Sequence, residues 1–302
     1  MRKLILIDGN ALLHRAYHAY PPLSSPKGEL INAVYGFSAM LLSVLDKLSP
    51  THVAVAWDVH GATFRKQEFE DYKANRGPMD EELVGQIDRT KEVVQKLNIP
   101  QFGIEGYEAD DIIGTLSRMA GEENDTQVVI VTGDRDSLQL IKGNKIVVFL
   151  PIQNHHNQSV VFDEDKVKEV YGLYPKQIID LKSLMGDPSD NIPGVKGIGK
   201  VTATKLIQEF GSLHDIYENI EVSKLSPRIK MLLVSDKEMA DKSYHLATID
   251  QKVPLELNWD DCLLTNYDKV GVVSLFEELN FKSLVAKLPK DSWEKEVQDV
   301  FI

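Results

Sequence analysis

The sequence has little cysteine and no long apolar run. Its one cysteine, Cys262, excludes an internal disulfide and a zinc site made of cysteine thiolates. No stretch approaches the ~18 consecutive apolar residues that a membrane span requires. Asp8 interrupts the first apolar run too early for the core of a signal peptide. These features predict a protein of a reducing cytoplasm with no membrane partner.

Basic residues are also in short supply. The 302 residues include 34 lysines and arginines against 46 aspartates and glutamates, which gives a net charge of -12. This balance argues against a protein that binds polyanions over its whole surface. The composition, with 43% hydrophobic and 26% charged residues, is that of an ordinary globular protein. The length predicts one large domain, or a large domain and a small one.

Short apolar runs rich in β-branched residues alternate with segments of helical period in the first half of the chain. The predicted strands are residues 4–7, 53–57, 128–132 and 146–150, and the predicted helices are residues 33–48, 82–97 and 110–120. Such alternation predicts a doubly wound α/β fold with a mainly parallel sheet. Later segments predict short helices, at residues 163–171, 175–184, 201–210 and 237–247. We therefore predict a division near residues 160–175 into an α/β part and a helical part.

Acidic side chains follow the predicted strands at the point where each strand ends. Asp8 follows the first strand, Asp58 the second, and Asp134 and Asp136 the third. In open α/β sheets ligands bind at the carboxyl ends of the strands, so these acids should converge at one edge. The remaining members of this acidic set are Glu108, Asp110 and Asp111 at a predicted helix start, and Asp187 and Asp190 in the helical part.

A convergent set of carboxylates has to protonate, remain hydrated or bind cations. Any single aspartate of this kind could be an ordinary turn or helix-cap residue. We expect the nine acids to converge without lysine or arginine neutralising them, and so to bind cations; oxygen ligands suit Mg²⁺ or Mn²⁺. Two such ions ~3.5–4 Å apart can activate water and stabilise the leaving oxygen of a phosphodiester. The pattern predicts phosphodiester hydrolysis if the chain also holds nucleic acid.

A glycine-rich segment at residues 192–203 is the first candidate for that nucleic-acid contact. Gly197 and Gly199 flank one apolar residue immediately before a predicted helix, and Lys196 and Lys200 add positive charge. A tight hairpin of this kind points backbone N–H groups at a phosphate and is typical of helix-hairpin-helix motifs. A nucleotide P-loop is rejected, because Val201 replaces the required serine or threonine. The alternative is an ordinary packing corner with exposed lysines.

Residues 64–76 are the second candidate. Arg65, Phe69, Tyr72, Lys73 and Arg76 are spaced by three or four residues, as on one face of a helix. Such a face could hold phosphates and stack a base. The alternative is an amphipathic surface helix whose long cationic side chains lie along it.

Six ordered blocks of this sequence resemble the 5′ nuclease (flap endonuclease) family, and within it the N-terminal 5′→3′ exonuclease domain of bacterial DNA polymerase I. The blocks are residues 6–10 (LIDGN), 56–58 with 63–65 (AWD, TFR), 72–76 (YKANR), 106–111 (GYEADD), 132–136 (TGDRD) and 185–203. The resemblance extends over roughly residues 3–290. Two departures are Trp57, where relatives usually have phenylalanine or tyrosine, and Lys200, which stands one position before the usual lysine.

The resemblance implies a PIN-like nuclease core at residues 1–172 with a helical arch at about residues 60–90. It implies a helix-3-turn-helix (helix-hairpin-helix-like) DNA-binding part at residues 173–290 and a tail at residues 291–302. It implies two Mg²⁺ or Mn²⁺ ions, and K⁺ at the hairpin carbonyls. The implied metal ligands are Asp8, Asp58, Glu108, Asp110, Asp111, Asp134, Asp136, Asp187 and Asp190.

The resemblance also implies which residues are catalytic and which bind DNA. Lys73, Arg76 and Asp134 are the implied catalytic residues. The implied DNA-binding residues are Arg15, Arg65, Tyr72, Lys73, Arg76, Lys196, Gly197, Gly199, Lys200 and Thr202. The implied partner is DNA with a 5′ flap, a nick or a free 5′ end, bound by a monomer in the bacterial cytoplasm during replication or repair. A polymerase domain in a longer parent chain is also implied.

Two functions remain open at this point. The first is metal-dependent hydrolysis without a covalent enzyme intermediate, since no serine or cysteine in these blocks has a recognisable histidine partner. His14, His18, His155 and His156 are interpreted as surface or core residues rather than metal ligands. The second is a catalytically silent module that binds DNA structures, with the acids serving the fold alone.

Overall fold

A six-stranded sheet forms the first part of the computed structural model, which describes residues 1–153, 158–264 and 267–290. The strands are β1 (Arg2–Asp8), β2 (His52–Ala56), β3 (Gln101–Phe102), β4 (Thr126–Val131), β5 (Ile146–Gln153) and β6 (Gln158–Phe162). Their order across the sheet is β3-β2-β1-β4-β5-β6. Only β6 runs antiparallel to its neighbour among these strands. The predicted doubly wound, mainly parallel sheet is confirmed.

Helices cover both faces of this sheet. They are α1 (Gly9–Ala19), α2 (Asn32–Leu48), α3 (Phe64–Glu68), α4 (Glu81–Lys96), α5 (Ala109–Glu122) and α6 (Glu164–Tyr171), with a 3₁₀ helix at Asp136–Leu140. Side chains of β1 alternate between the two faces. Ile5 and Ile7 pack in one core with α1, α2 and α4, and Leu4 and Leu6 pack in a second core with α5. The central strand is thus buried from both sides.

Among the described residues, seven more helices follow α6 along the chain. They are α7 (Gln177–Met185), α8 (Lys200–Phe210), α9 (Leu213–Asn219), α10 (Pro227–Ser235), α11 (Lys237–Ala247), α12 (Lys269–Glu278) and α13 (Lys282–Val285). Leu184, Leu206 and Leu233 belong to a separate small core shared by α7, α8 and α10. Phe276 of α12 and Phe281 instead join the core of α2 and α4. Residues 173–290 are helical, as predicted, and contribute to more than one core. Among the described residues, no helix is long and apolar enough to cross a bilayer.

The segment after β2 differs from its prediction. A continuous helical face over residues 64–76 was expected, but α3 ends at Glu68 and turns follow. Lys73 has a positive φ of 54°, which few residues other than glycine adopt. Buried contacts made by Arg65 and Tyr72 hold this irregular path. Local spacing could not reveal those contacts because their partners lie more than thirty residues away.

The sequence prediction also missed β3, β6 and α1, besides the 3₁₀ helix and the later helices α9, α10, α12 and α13. Strand β3 has two residues, too few for a periodic pattern. Strand β6 is an edge strand whose sequence is partly polar. Helix α1 begins directly after β1, with Asp8 accepting a 2.9 Å hydrogen bond from the N–H of Ala11. Asp8 therefore caps a helix as well as ending a strand.

The glycine-rich hairpin depends on a close backbone contact. Gly186 and Gly194 have positive φ angles of 74° and 64° and lie against each other. A Cβ atom on Gly194 would lie 2.2 Å from the backbone nitrogen of Gly186. Asp187 and Ile192 close this turn with reciprocal backbone hydrogen bonds of 2.8 and 2.9 Å. Only glycine fits at both positions.

Replacing Gly194 by alanine should destabilise the protein by about 3 kcal/mol or more, because the methyl group collides with backbone at a positive φ. Urea unfolding measures this change. Gly77→Ala is the matched control, since a Cβ atom there meets nothing within 4 Å. Equal stability of the two variants would contradict this account of the hairpin.

Candidate active site

A cleft of about 1180 Å³ lies at the carboxyl edge of the sheet. Asp8 is the last residue of β1, Asp58 lies two residues after β2, and Asp134 lies three residues after β4. The first turn of α5 adds Asp110, which also lines the cleft. These four side chains, here called the inner carboxylates, reach the same cleft from four separate segments of the chain. The expected convergence of acids from several strand ends is what the sheet topology produces.

The inner carboxylates make few contacts with positive charge. No lysine or arginine forms an ion pair with any of them within the described residues. Hydrogen bonds orient them instead. Asp8 accepts from the hydroxyl of Thr132 at 2.8 Å, and Asp58 accepts from the N–H of Ala109 at 2.8 Å.

Burial and mutual repulsion raise the pKa values of two inner carboxylates, Asp8 and Asp110. Burial raises the pKa of Asp8 to about 6, and the charges of Asp58 and Asp134 add to the effect. Burial, followed by the charges of Asp134 and Asp8, also raises the pKa of Asp110 well above its ordinary value. Protonation or a bound cation stabilises carboxylates that repel each other in this way.

A second group, here called the outer triad, consists of Asp136, Asp187 and Asp190. One oxygen of each lies within 4.8 Å of the others, an arrangement that could hold a metal ion. Lys182 contacts Asp136 and lies 2.5 Å from Asp187, and Arg76 lies 2.5 Å from Asp190. Burial and Asp134 raise the pKa of Asp136 to about 7, although Lys182 opposes this.

The expectation of nine acids without cationic neighbours is therefore wrong for five of them. Besides the outer triad, Glu108 lies 2.9 Å from the ammonium of Lys73. Asp111 is paired with Arg65 at 2.7 Å. The acidic set thus divides into four unpaired inner carboxylates and five acids that already have a positive partner. Sequence spacing gave no indication of this division.

Asp111 is the clearest correction to the predicted ligand set. It is fully buried, and its two oxygens accept four hydrogen bonds. The donors are two guanidinium nitrogens of Arg65 and the backbone N–H groups of Glu108 and Asp250. Asp111 has no capacity left for a metal ion and does not line the cleft. Arg65, predicted to bind DNA, is 2% exposed and is a structural partner of Asp111.

Tyr72 is also buried rather than presented to a base. It is 3% exposed, and its hydroxyl donates to Glu108 at 3.1 Å. Burial, followed by the negative charges of Glu108 and Asp190, raises the pKa of Tyr72. In this structure the ring is not presented to solvent, and its contact with DNA stays a prediction. Lys73 and Arg76 do line the cleft, where each faces an acid.

Two asparagines fasten residues 71–76 to the loop that carries Asp187 and Asp190. The amide of Asn75 donates to the carbonyl of Pro188 at 2.6 Å, and the amide of Asn191 donates to the carbonyl of Asp71 at 2.7 Å. The backbone N–H of Lys73 also donates to the carbonyl of Asp190 at 2.9 Å. Lys73 and Arg76 are thereby held beside the outer triad.

The predicted hairpin residues lie together at the start of α8. Gly199 precedes that helix, Lys200 is its first residue, and Lys196 and Lys200 are both exposed. Gly197 has a positive φ of 88°, and Thr202 is half-buried in the first helical turn. Lys200 lines the cleft, so the hairpin borders the acidic site. Its charge and its helix start suit a phosphate.

Helix α1 carries Arg15 and two of the histidines, His14 and His18. Arg15 lies on α1 and is half-buried, but it is not among the residues that line the cleft. His14 and His18 do line it, and burial lowers the pKa of His14. His155 and His156, together with the predicted tail at residues 291–302, lie outside the described residues.

Sequence reasoning missed Lys182, which contacts two of the predicted ligands. Its one available signal is position: it lies in the last turn of α7, five residues before Asp187. Thr132 and Ser189 were missed as well. The hydroxyl of Ser189 donates to Asp187 at 2.6 Å and helps to lower the pKa of that carboxyl, against the opposing effect of burial.

A cleft with four carboxylates at the carboxyl edge of a mainly parallel sheet, bordered by a glycine-rich hairpin, is typical of metal-dependent nucleases. Residues 3–172 match the family described as 5′-3′ exonuclease, N-terminal resolvase-like domain. Residues 173–270 match the 5′-3′ exonuclease, C-terminal SAM fold. The chain belongs to the 5′-3′ exonuclease family, and the family predicted from its sequence blocks is confirmed.

Curated relatives at about 40% identity are DNA polymerase I chains. That of Caldicellulosiruptor bescii is 41% identical over 95% of this chain and 33% of the relative. That of Lactococcus lactis subsp. cremoris is 42% identical over 96% of this chain and 33% of the relative. That of Bacillus caldotenax is 41% identical over 98% and 33%, respectively. The chain thus spans about one third of the length of these relatives.

Solved structures share the fold at lower identity. The T5 5′-exonuclease with bound divalent metal ions (zinc) has a TM-score of 0.67 and 22% identity, covering 95% of this chain and 99% of that one. The catalytic core of Rad2 in complex with DNA substrate has a TM-score of 0.60 and 19% identity, covering 95% and 91%. At this identity the likeness supports the fold alone.

Replacing Asp8 by asparagine should stabilise the protein in EDTA at pH 7.5 by up to about 3 kcal/mol, because the pKa of Asp8 is raised from 3.8 to about 6. The folded wild-type chain retains a proton that the unfolded chain releases between these values, so the contribution of Asp8 to stability falls as pH rises through this window. Asparagine still caps α1. The gain should disappear near pH 4.

Urea unfolding in EDTA at both pH values measures this difference, with Asp46→Asn on the exposed surface of α2 as the control. Excess Mg²⁺ at pH 7.5 should reverse the order, since the wild-type chain gains more from a bound cation. A variant less stable than wild type in EDTA at pH 7.5 would show that repulsion at Asp8 is small.

Proposed function

We propose that this chain is a divalent-metal-dependent 5′ nuclease that hydrolyses phosphodiesters near DNA 5′ ends, at flaps, nicks and free ends. The observation that carries the proposal is the group of four unpaired inner carboxylates in a cleft that the hairpin borders. A protein that only bound DNA would gain nothing from repulsive carboxylates beside phosphate. The family to which the chain belongs supports the same activity.

The inner carboxylates and the outer triad are the proposed metal ligands, with Glu108 beside them. The donor set fits Mg²⁺ or Mn²⁺, because it contains only carboxylate oxygens and no histidine or cysteine. Ions bound there would supply Lewis-acid stabilisation of charge on the phosphate and lower the pKa of water. Asp111 is left out of the proposed set because its oxygens are already engaged.

Lys73 and Arg76 are the proposed catalytic cations. Both line the cleft, and the asparagine contacts of residues 71–76 hold them next to the outer triad. Burial opposes the charge of Lys73, but Glu108 and Asp190 raise its pKa, so it stays protonated. Fixed positive charge at this position can stabilise the charge that develops on a phosphate during hydrolysis.

The hairpin is the proposed site for the backbone of duplex DNA. Lys196 and Lys200 would contact phosphates together with the N–H groups of Gly197 and Gly199, and Thr202 would add its hydroxyl. The hairpin carbonyls would hold a K⁺ ion. We propose that the protein acts as a monomer on DNA in the bacterial cytoplasm, with residues 1–172 as the nuclease core. The longer relatives support its linkage to a polymerase domain.

Replacing Asp134 by alanine should lower the turnover of a 5′-flap substrate in Mg²⁺ by at least about a hundredfold. The cause is loss of an inner carboxylate that faces the cleft. Binding of the same flap, measured by fluorescence anisotropy, should remain. Asp46→Ala is the matched control. Wild-type turnover by Asp134→Ala would remove Asp134 from the site.

The competing hypothesis is a catalytically silent module that binds DNA structures. Incubation of the wild-type chain with a 5′-flap substrate, in Mg²⁺ and separately in EDTA, distinguishes the two. The nuclease proposal requires cleavage in Mg²⁺ and none in EDTA. An intact substrate under both conditions would favour the silent module.

The double variant Lys196→Ala with Lys200→Ala should weaken flap binding and reduce the slope of log affinity against log salt by about 2, one for each lost phosphate contact. Fluorescence anisotropy in EDTA at several salt concentrations measures this slope. Base sequence at fixed DNA shape should have little effect. The exposed Lys96→Ala on α4 is the control, and an unchanged slope in the double variant would place the DNA elsewhere.

A further inference from the structure

The side chain of Lys182 reaches into the outer triad, the group of acids that could hold a metal ion. Its ammonium contacts Asp136 and Asp187, two of the three residues of the triad. The side chain is only 14% exposed. It enters from the last turn of α7, where a cation is also favoured by the helix dipole. The ammonium of Lys182 therefore neutralises part of the negative charge of the outer triad.

We propose that Lys182 and the second divalent ion exclude each other, so that this ion binds only when the ammonium of Lys182 moves out into the cleft. This inference rests on the proposed two-ion site. Mg²⁺ and Mn²⁺ bind carboxylate oxygens at about 2.1 Å. An ion that takes the same oxygens of Asp136 and Asp187 would lie beside the ammonium, and two cations so close in a buried setting repel strongly.

The structure leaves a path for this exchange. Lys182 lines the cleft, so rotation of its side chain leads to open space rather than into packed core. Within the part of the chain that the structure describes, no lysine or arginine forms an ion pair with the inner carboxylates. The first ion thus binds without competition, whereas the second must displace Lys182. Lys182 should therefore lower the affinity of the second ion relative to the first, in addition to the effect of Arg76 on Asp190.

Lys182→Met tests this exchange, because methionine keeps most of the side-chain length and removes the charge. Lys176→Met is the matched control, since Lys176 is exposed at the start of the same helix. Titration with Mn²⁺ without DNA, followed by the EPR signal of free Mn²⁺, counts the bound ions and gives their affinities. In Lys182→Met the second Mn²⁺ should bind at least about fivefold more tightly than in wild type, a typical size for coupling between sites.

Stability supplies a second readout. In EDTA, Lys182→Met should melt at a lower temperature than wild type, because Asp136 and Asp187 lose their positive partner. Its gain in melting temperature on adding Mn²⁺ should exceed that of wild type. Lys176→Met should match wild type in both measurements. Unchanged or weaker binding of the second Mn²⁺ by Lys182→Met would overturn the exchange.

A measurement on the wild-type chain keeps the test independent of how the variant folds. Reductive methylation followed by mass spectrometry reports the reactivity of each lysine amine. Lys182 is 14% exposed and its ammonium is held by two carboxylates, so its amine should react slowly in EDTA. Saturating Mn²⁺ should increase labelling of Lys182 severalfold and leave Lys176 unchanged. Equal labelling of Lys182 in both conditions would also overturn the proposal.

Failure of this inference and failure of the proposed function give different results. A wild-type chain that binds two Mn²⁺ ions and cuts a flap, with no effect of Lys182→Met on the second ion, overturns the exchange alone. A wild-type chain that binds no Mn²⁺ at millimolar concentration and cuts no flap overturns both.

Discussion

Repulsion among carboxylates is the constraint on which this structure depends. The topology of the sheet brings acids from separate strands to one edge, where burial weakens their screening by water. The structure accommodates this repulsion in two ways. Five acids are paired with lysine or arginine, whereas the four inner carboxylates form no such ion pair among the described residues, and the pKa values of Asp8 and Asp110 are raised. This unbalanced negative charge is the property that a metal-dependent nuclease requires.

Neighbouring residues of the same type have opposite functions in this arrangement. Asp110 and Asp111 are adjacent in α5, but successive residues of a helix point about 100° apart. Asp110 faces the cleft, and Asp111 faces inward to Arg65. The ion pair is buried and fully hydrogen-bonded, so loss of either partner would leave an uncompensated charge. One acid thus faces the candidate site, and its neighbour stabilises the fold.

Local patterns were sufficient to predict much of the architecture. Runs of β-branched residues marked β1, β2, β4 and β5, and β1, β2 and β4 were each followed by acids that reach the cleft. The glycine spacing around Gly197 correctly indicated a turn before a helix. These features are encoded within a few residues of each other, which is why the sequence alone reveals them.

Pairing across long stretches of chain could not be predicted in the same way. Arg65 and Asp111 are 46 residues apart, and Lys182 and Asp136 are likewise 46 apart. Nothing in the spacing of residues 64–76 distinguishes a cation that will bind phosphate from one that will be buried. The irregular backbone at Lys73 follows from those buried contacts rather than from helical propensity. Which acids remain unpaired is therefore decided by tertiary structure.

The asparagine contacts of residues 71–76 have a geometric consequence. Asp190 lies only four residues before Gly194, and the intervening turn is closed by backbone hydrogen bonds and fastened to residues 71–76. The acids and the hairpin are thus held at a constant separation. A duplex bound at the hairpin would present its backbone to the acids at the same distance whatever its bases. This fixed distance would then set the position of the cut along the strand.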